Sequence, residues 1–146
     1  TNSAASFGWC GCIFGRTDYS MIRLNPFNRL VSAVVSRLWQ FHRLRGRAFL
    51  IDRILPFVEA IPSYYGPLLR VRQGDFTNRS AIFGSYGDEV AAWVRTLEPD
   101  DIFLDIGANT GLFSLIADAR VSRGRIFAFE PNPSLYDDLR FNIAIN

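Results

Sequence analysis

One stretch, residues 101–133, limits what this chain can fold into more than any other: DIFLDIGANTGLFSLIADARVSRGRIFAFEPNP. Two short apolar runs, 102–104 and 126–129, each end at a carboxylate, Asp105 and Glu130. Between them a turn punctuated by Gly107 and Gly111 leads into apolar residues at helical spacing, Leu112, Phe113, Leu115 and Ile116. The order predicts strand, tight loop, helix, strand, with one carboxylate at the tip of each strand. That is the opening unit of a nucleotide-binding α/β fold.

The loop narrows the chemistry. A dinucleotide fingerprint spaces its glycines as G-x-G-x-x-G, so that the backbone approaches a pyrophosphate. Here the order is Asp105-x-Gly107-x-Asn109-x-Gly111. Asn109 stands where a middle glycine would, and Asn enters left-handed conformations more readily than most residues with a Cβ. Asp105 would set a negative charge beside any pyrophosphate, which is unfavourable at close range. The same carboxylate suits a cationic ligand without phosphates, such as the sulfonium of S-adenosylmethionine. Glu130, at the second strand tip, is placed to accept hydrogen bonds from both ribose hydroxyls. Two anionic strand tips around a glycine turn therefore favour S-adenosylmethionine over NAD. An NAD-dependent oxidoreductase is the alternative enzyme, and a non-catalytic membrane or protein interaction module the alternative of another class.

At these residues, DIGANTGLFSL followed by AFEPNP, the chain resembles the FkbM family of class I S-adenosylmethionine-dependent methyltransferases. The resemblance extends upstream through FGSYGDE, residues 83–89, and downstream to Leu139, Asn142 and Asn146, about half of the chain. It implies a Rossmann-like fold and a cofactor site formed by Asp105, Gly107, Ala108, Asn109, Gly111, Glu130, Pro131 and Asn132. Tyr86 and Glu89, at the start of a helix bordering the pocket, become candidates for the methionine end. Glu89 equally fits a first-turn carboxylate that stabilises its own helix dipole. The resemblance also implies O-methylation of a hydroxyl on a sugar, a glycolipid or a polyketide-type metabolite. No residue is assigned as the catalytic base.

Upstream, Asn25 suits an N-cap and Pro26 a first helical position. Phe27, Leu30, Val31, Val34, Val35, Leu38 and Phe41 recur at helical spacing, and a second helical pattern runs through 49–55 until Pro56. This pair of helices is expected to pack on protein, with peripheral contact of 26–45 to an anionic membrane as the alternative. His42 sits at the edge of the stripe and reads as structural. A boundary is expected near Gly66, giving a mobile leader (1–24), a helical extension (25–66) and the start of the Rossmann-like domain (67–146). Within the last, Leu69 and Val71 alternate with Arg70 and Arg72 as in a strand, residues 73–75 read as a turn, and 81–83 as the returning strand. Val90, Trp93, Val94 and Leu97 mark a helix ending at Pro99. Asn132 and Pro133 open a last helix with Leu135, Leu139 and Ile143 on its buried face.

Charge separates the two halves. Residues 1–60 hold eight arginines against Asp18, Asp52 and Glu59, whereas 61–146 hold eight against eleven carboxylates. A basic leader before an acidic cofactor half does not suit a nucleic-acid binder, whose cations should line one face. Cys10 and Cys12 are too few for a structural zinc site and too close for a disulfide framework, so no metal and a cytoplasmic location are expected. No apolar run reaches the length of a membrane span. The family fold has a seven-stranded sheet, and only its first two parallel strands are expected here. The chain therefore reads as a truncated domain, cut after the second parallel strand and its helix and inactive alone.

Overall fold

The computed structural model describes residues 10–14, 24–40 and 46–146. His42, residues 41–45 of the expected membrane-contact stretch, and most of the expected leader lie outside them. The described elements are β1 (Cys10–Phe14), α1 (Pro26–Gln40), α2 (Arg47–Asp52), a 3-10 turn (Leu55–Phe57), β2 (Ala60–Pro62) and β3 (Leu68–Arg70). There follow α3 (Phe76–Phe83), α4 (Asp88–Val94), β4 (Ile102–Ile106), α5 (Leu112–Asp118), β5 (Arg125–Glu130) and α6 (Pro133–Ile145).

The chain is mixed α/β, and its centre is the expected strand–loop–helix–strand unit. β4 and β5 pair in parallel, with Leu104 opposite Phe127 and Ile106 opposite Phe129. β1 adds to the other edge of β5, antiparallel, giving the order β1-β5-β4. Cys10–Phe14 therefore form a strand inside the stretch expected to be a mobile leader. The backbone groups at the outer edge of β5 recruit them, a pairing that no local pattern announces.

One face of the sheet is covered. Phe103 and Ile126 are buried with α5 residues Leu115 and Ile116 and with Val94 of α4, in a core that runs on to Val35, Ile51, Ile61, Leu69 and Ile82, while Ala128 packs with Ala108 and with Leu139 of α6. On the opposite face Ile102, Leu104 and Ile106 are exposed. Among the described residues the far edge of β4 carries no partner strand. A parallel sheet is ordinarily buried on both faces, so this face and edge are surfaces that the described residues leave uncovered.

One expectation upstream is corrected. Residues 81–83 are the last turn of α3, not a strand. The carboxylate of Asp75 accepts the Asn78 N–H at 2.9 Å, and Gly84 (φ 77°) closes the helix in the left-handed conformation. The strand that pairs with β3 is β2, antiparallel, with Ala60 opposite Arg70 and Pro62 opposite Leu68. Pro62 ends β2 and is tolerated at the end of a two-stranded ribbon. The turn comes later, with Ser63 N–H bonded to the Pro67 carbonyl at 2.8 Å. Gly66, near which a boundary is expected, lies in this turn.

α1 follows its sequence closely at the start. Asn25 Oδ1 accepts the Asn28 N–H at 2.8 Å. Asn28 is buried and its Oδ1 takes the Glu59 N–H at 3.0 Å, fixing the helix against the chain that enters β2. Only part of the apolar stripe is used: Val35 is buried and Val31 and Leu38 pack against the core, but Phe27, Leu30 and Val34 are exposed.

α6 is tied to β3 by polar groups. Buried Asp138 pairs with Arg70 and Arg72. Asn146 Oδ1 accepts from Leu68 N–H at 2.8 Å, and its Nδ2 donates to the Leu68 carbonyl at 2.9 Å.

Candidate functional site

The glycine turn between β4 and α5 sits at the tip of β5. Phe129 O accepts from Gly107 N–H (2.8 Å) and Ala108 N–H (2.9 Å), so the turn is laid across the end of the neighbouring strand. Gly107 (φ 80°), Asn109 (φ 53°) and Gly111 (φ 85°) all take left-handed dihedrals. Asn109 is the one non-glycine residue with positive φ among the described residues. Its Oδ1 accepts the Thr110 N–H at 2.8 Å, a local bond of the kind that lets Asn occupy this region.

The glycines serve different needs. A Cβ on Gly111 would run into Leu139 Cδ1 of α6, so this glycine lets helix and loop pack closely. A Cβ on Gly107 would meet nothing within 4 Å. The surface over Gly107 is open.

Glu130 closes the turn from the side. It is buried, Oε2 accepts the Asn109 N–H at 2.8 Å, and Oε1 accepts the Asn132 N–H at 2.9 Å. One carboxylate thereby fixes both the loop after β4 and the loop after β5. Each oxygen has a second lone pair, so further donors can still be accepted. Asn132 is the N-cap of α6, its Oδ1 accepting the Ser134 N–H at 3.0 Å, and Pro131 is half-buried beside it.

Asp105 points its Oδ2 at the first turn of α5, accepting from Ser114 Oγ at 2.6 Å and Ser114 N–H at 3.1 Å. Burial raises its pKa above the ordinary carboxylate range, the two Ser114 bonds oppose that shift, and the charge of Glu130 adds to it. The two strand-tip carboxylates thus share one electrostatic neighbourhood.

Tyr86 lies beside this unit. Its ring stacks on Phe113 of α5 with centroids 6.1 Å apart, and a Cβ on Gly87 would strike the same Phe113 ring. Tyr65 donates to the Tyr86 carbonyl (2.9 Å) and to Asp88 (2.8 Å), which holds the entry to α4. Burial and the Asp88 carboxylate push the Tyr65 pKa up to about 12. Glu89 is exposed in the first turn of α4, and among the described residues no hydrogen bond or ion pair links it to the glycine turn.

Three residues of this assembly were not singled out by sequence reasoning for their part in it: Ser114, Phe113 and Asn142. Asn142 is wholly buried and bridges two elements, its Nδ2 donating to the Thr110 carbonyl (2.8 Å) and its Oδ1 accepting the Arg70 N–H (2.7 Å). A polar residue on the apolar side of α6 was the available signal. Among the described residues no group of side chains is arranged to hold a metal ion. No helix among them is long and apolar enough to cross a membrane.

Fold and turn together define a mixed α/β protein with a parallel strand–helix–strand unit and a glycine turn held by Glu130, with Asp105 bonded to the helix that follows it. Comparison with known proteins adds a relationship. Over 53 residues, 36% of this chain, it is 42% identical to methyltransferase sdnD of Sordaria araneosa, the match covering 20% of that protein. Over 48 residues, 33% of the chain, it is 47% identical to the AMB antimetabolite synthetase AmbE of Pseudomonas aeruginosa, covering 2% of it. The matches thus span a fifth or less of these curated relatives. No family model and no solved structure matches the chain. Over that short segment the chain is related to a methyltransferase.

Proposed function

We propose that this chain forms the cofactor-binding part of an S-adenosylmethionine-dependent methyltransferase of the class I, FkbM type. The observation that carries the proposal is the turn itself: left-handed Gly107 opens onto free space, with Glu130 holding Asn109 at one side and Asp105 anchored to Ser114 at the other. A small ligand fits against a turn whose Cβ position is empty, and the absence of phosphate suits a site bordered by two carboxylates.

In this reading the spare lone pairs of Glu130 accept the ribose hydroxyls. Gly107, Ala108, Asn109 and Gly111 line the cofactor from below, Pro131 and Asn132 border the base, and Asp105 faces the cationic part. Tyr86 and Glu89 lie toward the methionine end. The cofactor supplies an electrophilic methyl group, and the chain's residues bind and align it, because in-line displacement at a sulfonium depends mainly on alignment. The acceptor class is a hydroxyl on a sugar, glycolipid or polyketide-type metabolite, as the family resemblance implies. Further strands of a larger Rossmann-like sheet would cover the bare edge of β4 and the exposed Ile102, Leu104 and Ile106.

Calorimetric titration of the full-length protein with S-adenosylmethionine, S-adenosylhomocysteine and NAD tests the reading. Saturable binding of the first two and none of NAD is expected. Binding of NAD alone would assign the turn to an oxidoreductase.

A further inference from the structure

The apolar stripe of α1 is wider than its contact with the domain. Val35 and Asn28 face inward, whereas Phe27 (53% exposed), Leu30 (66%) and Val34 (48%) face solvent. These three stand at i, i+3 and i+7, so they form one continuous band along the helix. Three more large apolar side chains are exposed on the elements that follow, Phe49 and Leu50 in α2 and Phe57 in the 3-10 turn. Scattered apolar residues need no account, but a band along one helix does.

The charge of this stretch of sequence is almost all of one sign. Residues 24–57 contain six arginines and a single carboxylate, Asp52. Asp52 is paired with Arg79 of α3 at 3.1 Å, so it does not offset the arginines of its own segment. Within α1 the charged residues are Arg29 and Arg37, both exposed, and Arg53 lies over the exposed Phe49 ring at 5.4 Å. The rest of the chain is acidic, with eleven carboxylates against eight arginines over 61–146.

We infer that the exposed face of α1, together with the exposed apolar residues of α2 and the 3-10 turn, docks on an anionic lipid surface. Phe27, Leu30 and Val34 enter the boundary between headgroups and acyl chains, and Arg29, Arg37 and Arg53 meet lipid phosphates. Basic residues beside an exposed aromatic and aliphatic band are the chemistry of an interfacial helix. A second copy of the chain fits less well: a two-fold contact places each patch against its own copy, and arginine would then meet arginine. An anionic bilayer also sets an orientation, because it attracts this face and repels the acidic remainder. The inference does not depend on the methyltransferase reading.

Flotation of the full-length protein with vesicles tests it. Binding to phosphatidylcholine vesicles containing phosphatidylserine, weak binding to phosphatidylcholine alone, and loss of binding at high salt are expected. Arg29→Gln with Arg37→Gln should weaken anionic-vesicle binding by about tenfold or more. Leu30→Asp, at an exposed position, should abolish it while leaving the thermal transition in place. Absence of binding to anionic vesicles overturns the inference, as does equal binding to neutral ones or binding unchanged in both variants. A dimer in light scattering that Leu30→Asp dissociates, without vesicle binding, would make the face a protein interface and equally overturn it.

Discussion

The backbone N–H of Asn109 donates to Oε2 of Glu130 across 2.8 Å, joining the turn after β4 to the tip of β5. The bond is short, buried on the Glu130 side and charge-assisted, so it contributes more than a neutral hydrogen bond in water would. It also lets a left-handed residue sit at the centre of a loop that is open above Gly107.

Glu130→Ala is therefore expected to act twice. If Glu130 accepts the ribose hydroxyls as proposed, its loss should weaken S-adenosylmethionine binding by about 1–3 kcal/mol. Leaving the Asn109 and Asn132 N–H groups without their acceptor should lower the stability of the free protein as well. Calorimetry and urea denaturation measure the two effects separately. Equal cofactor affinity in wild type and mutant would remove Glu130 from the site.

The glycines of the turn should separate by role. Gly107→Ala places its Cβ in open space and should cost about 1–2 kcal/mol of stability, from the left-handed backbone alone. Gly111→Ala adds a collision with Leu139 and should cost more. Gly107→Val should fold and yet bind no cofactor, because a branched side chain fills the space above the turn. Normal binding by that variant would refute ligand approach over Gly107.

Asn142→Leu keeps the branched shape, in a slightly bulkier side chain, while leaving the Arg70 N–H and the Thr110 carbonyl without their partner, at an expected cost of about 2–4 kcal/mol. Since Thr110 belongs to the glycine turn, cofactor affinity should fall too. Chemical denaturation reads the first effect and calorimetry the second.

Asp105 gives a pH signature. Its folded-state pKa lies above its unfolded value, mainly through burial, so the folded state holds the proton more tightly. Its contribution favours folding at low pH and is lost as pH rises from the unfolded carboxylate pKa through the higher folded one. Asp105→Asn keeps an oxygen for Ser114 and removes the ionisation. It should raise the melting temperature at neutral pH, flatten the pH dependence in the weakly acidic range, and weaken cofactor binding. A melting temperature lowered at every pH would show that the carboxylate charge is worth more than its desolvation costs.

The exposed Leu104 and Ile106 of β4 should make an isolated 146-residue chain bind hydrophobic dye and self-associate. Leu104→Thr with Ile106→Thr should reduce both without loss of secondary structure by circular dichroism. Unchanged association would place the contact elsewhere.

What the sequence determined by itself is local. The two strands that carry Asp105 and Glu130 near their ends, the caps at Asn25 and Asn132 and the left-handed Asn109 follow from periodicity, side-chain-to-backbone bonds and dihedral preference, all within a few residues. Tertiary structure decided where non-local partners were chosen. Residues 81–83 carry apolar side chains that either a strand or a helix could bury, and the Asp75 and Gly84 caps together with β3's pairing to β2 made them helix. Cys10–Phe14 became a strand because β5 had an edge to fill. The stripe on α1 was legible, but how much of it would be covered was not, since that depends on the area its neighbours present. The Glu130–Asn109 and Asn142–Thr110 bonds connect residues 21 and 32 positions apart, and a backbone group's choice among distant acceptors is fixed only once the chain has packed.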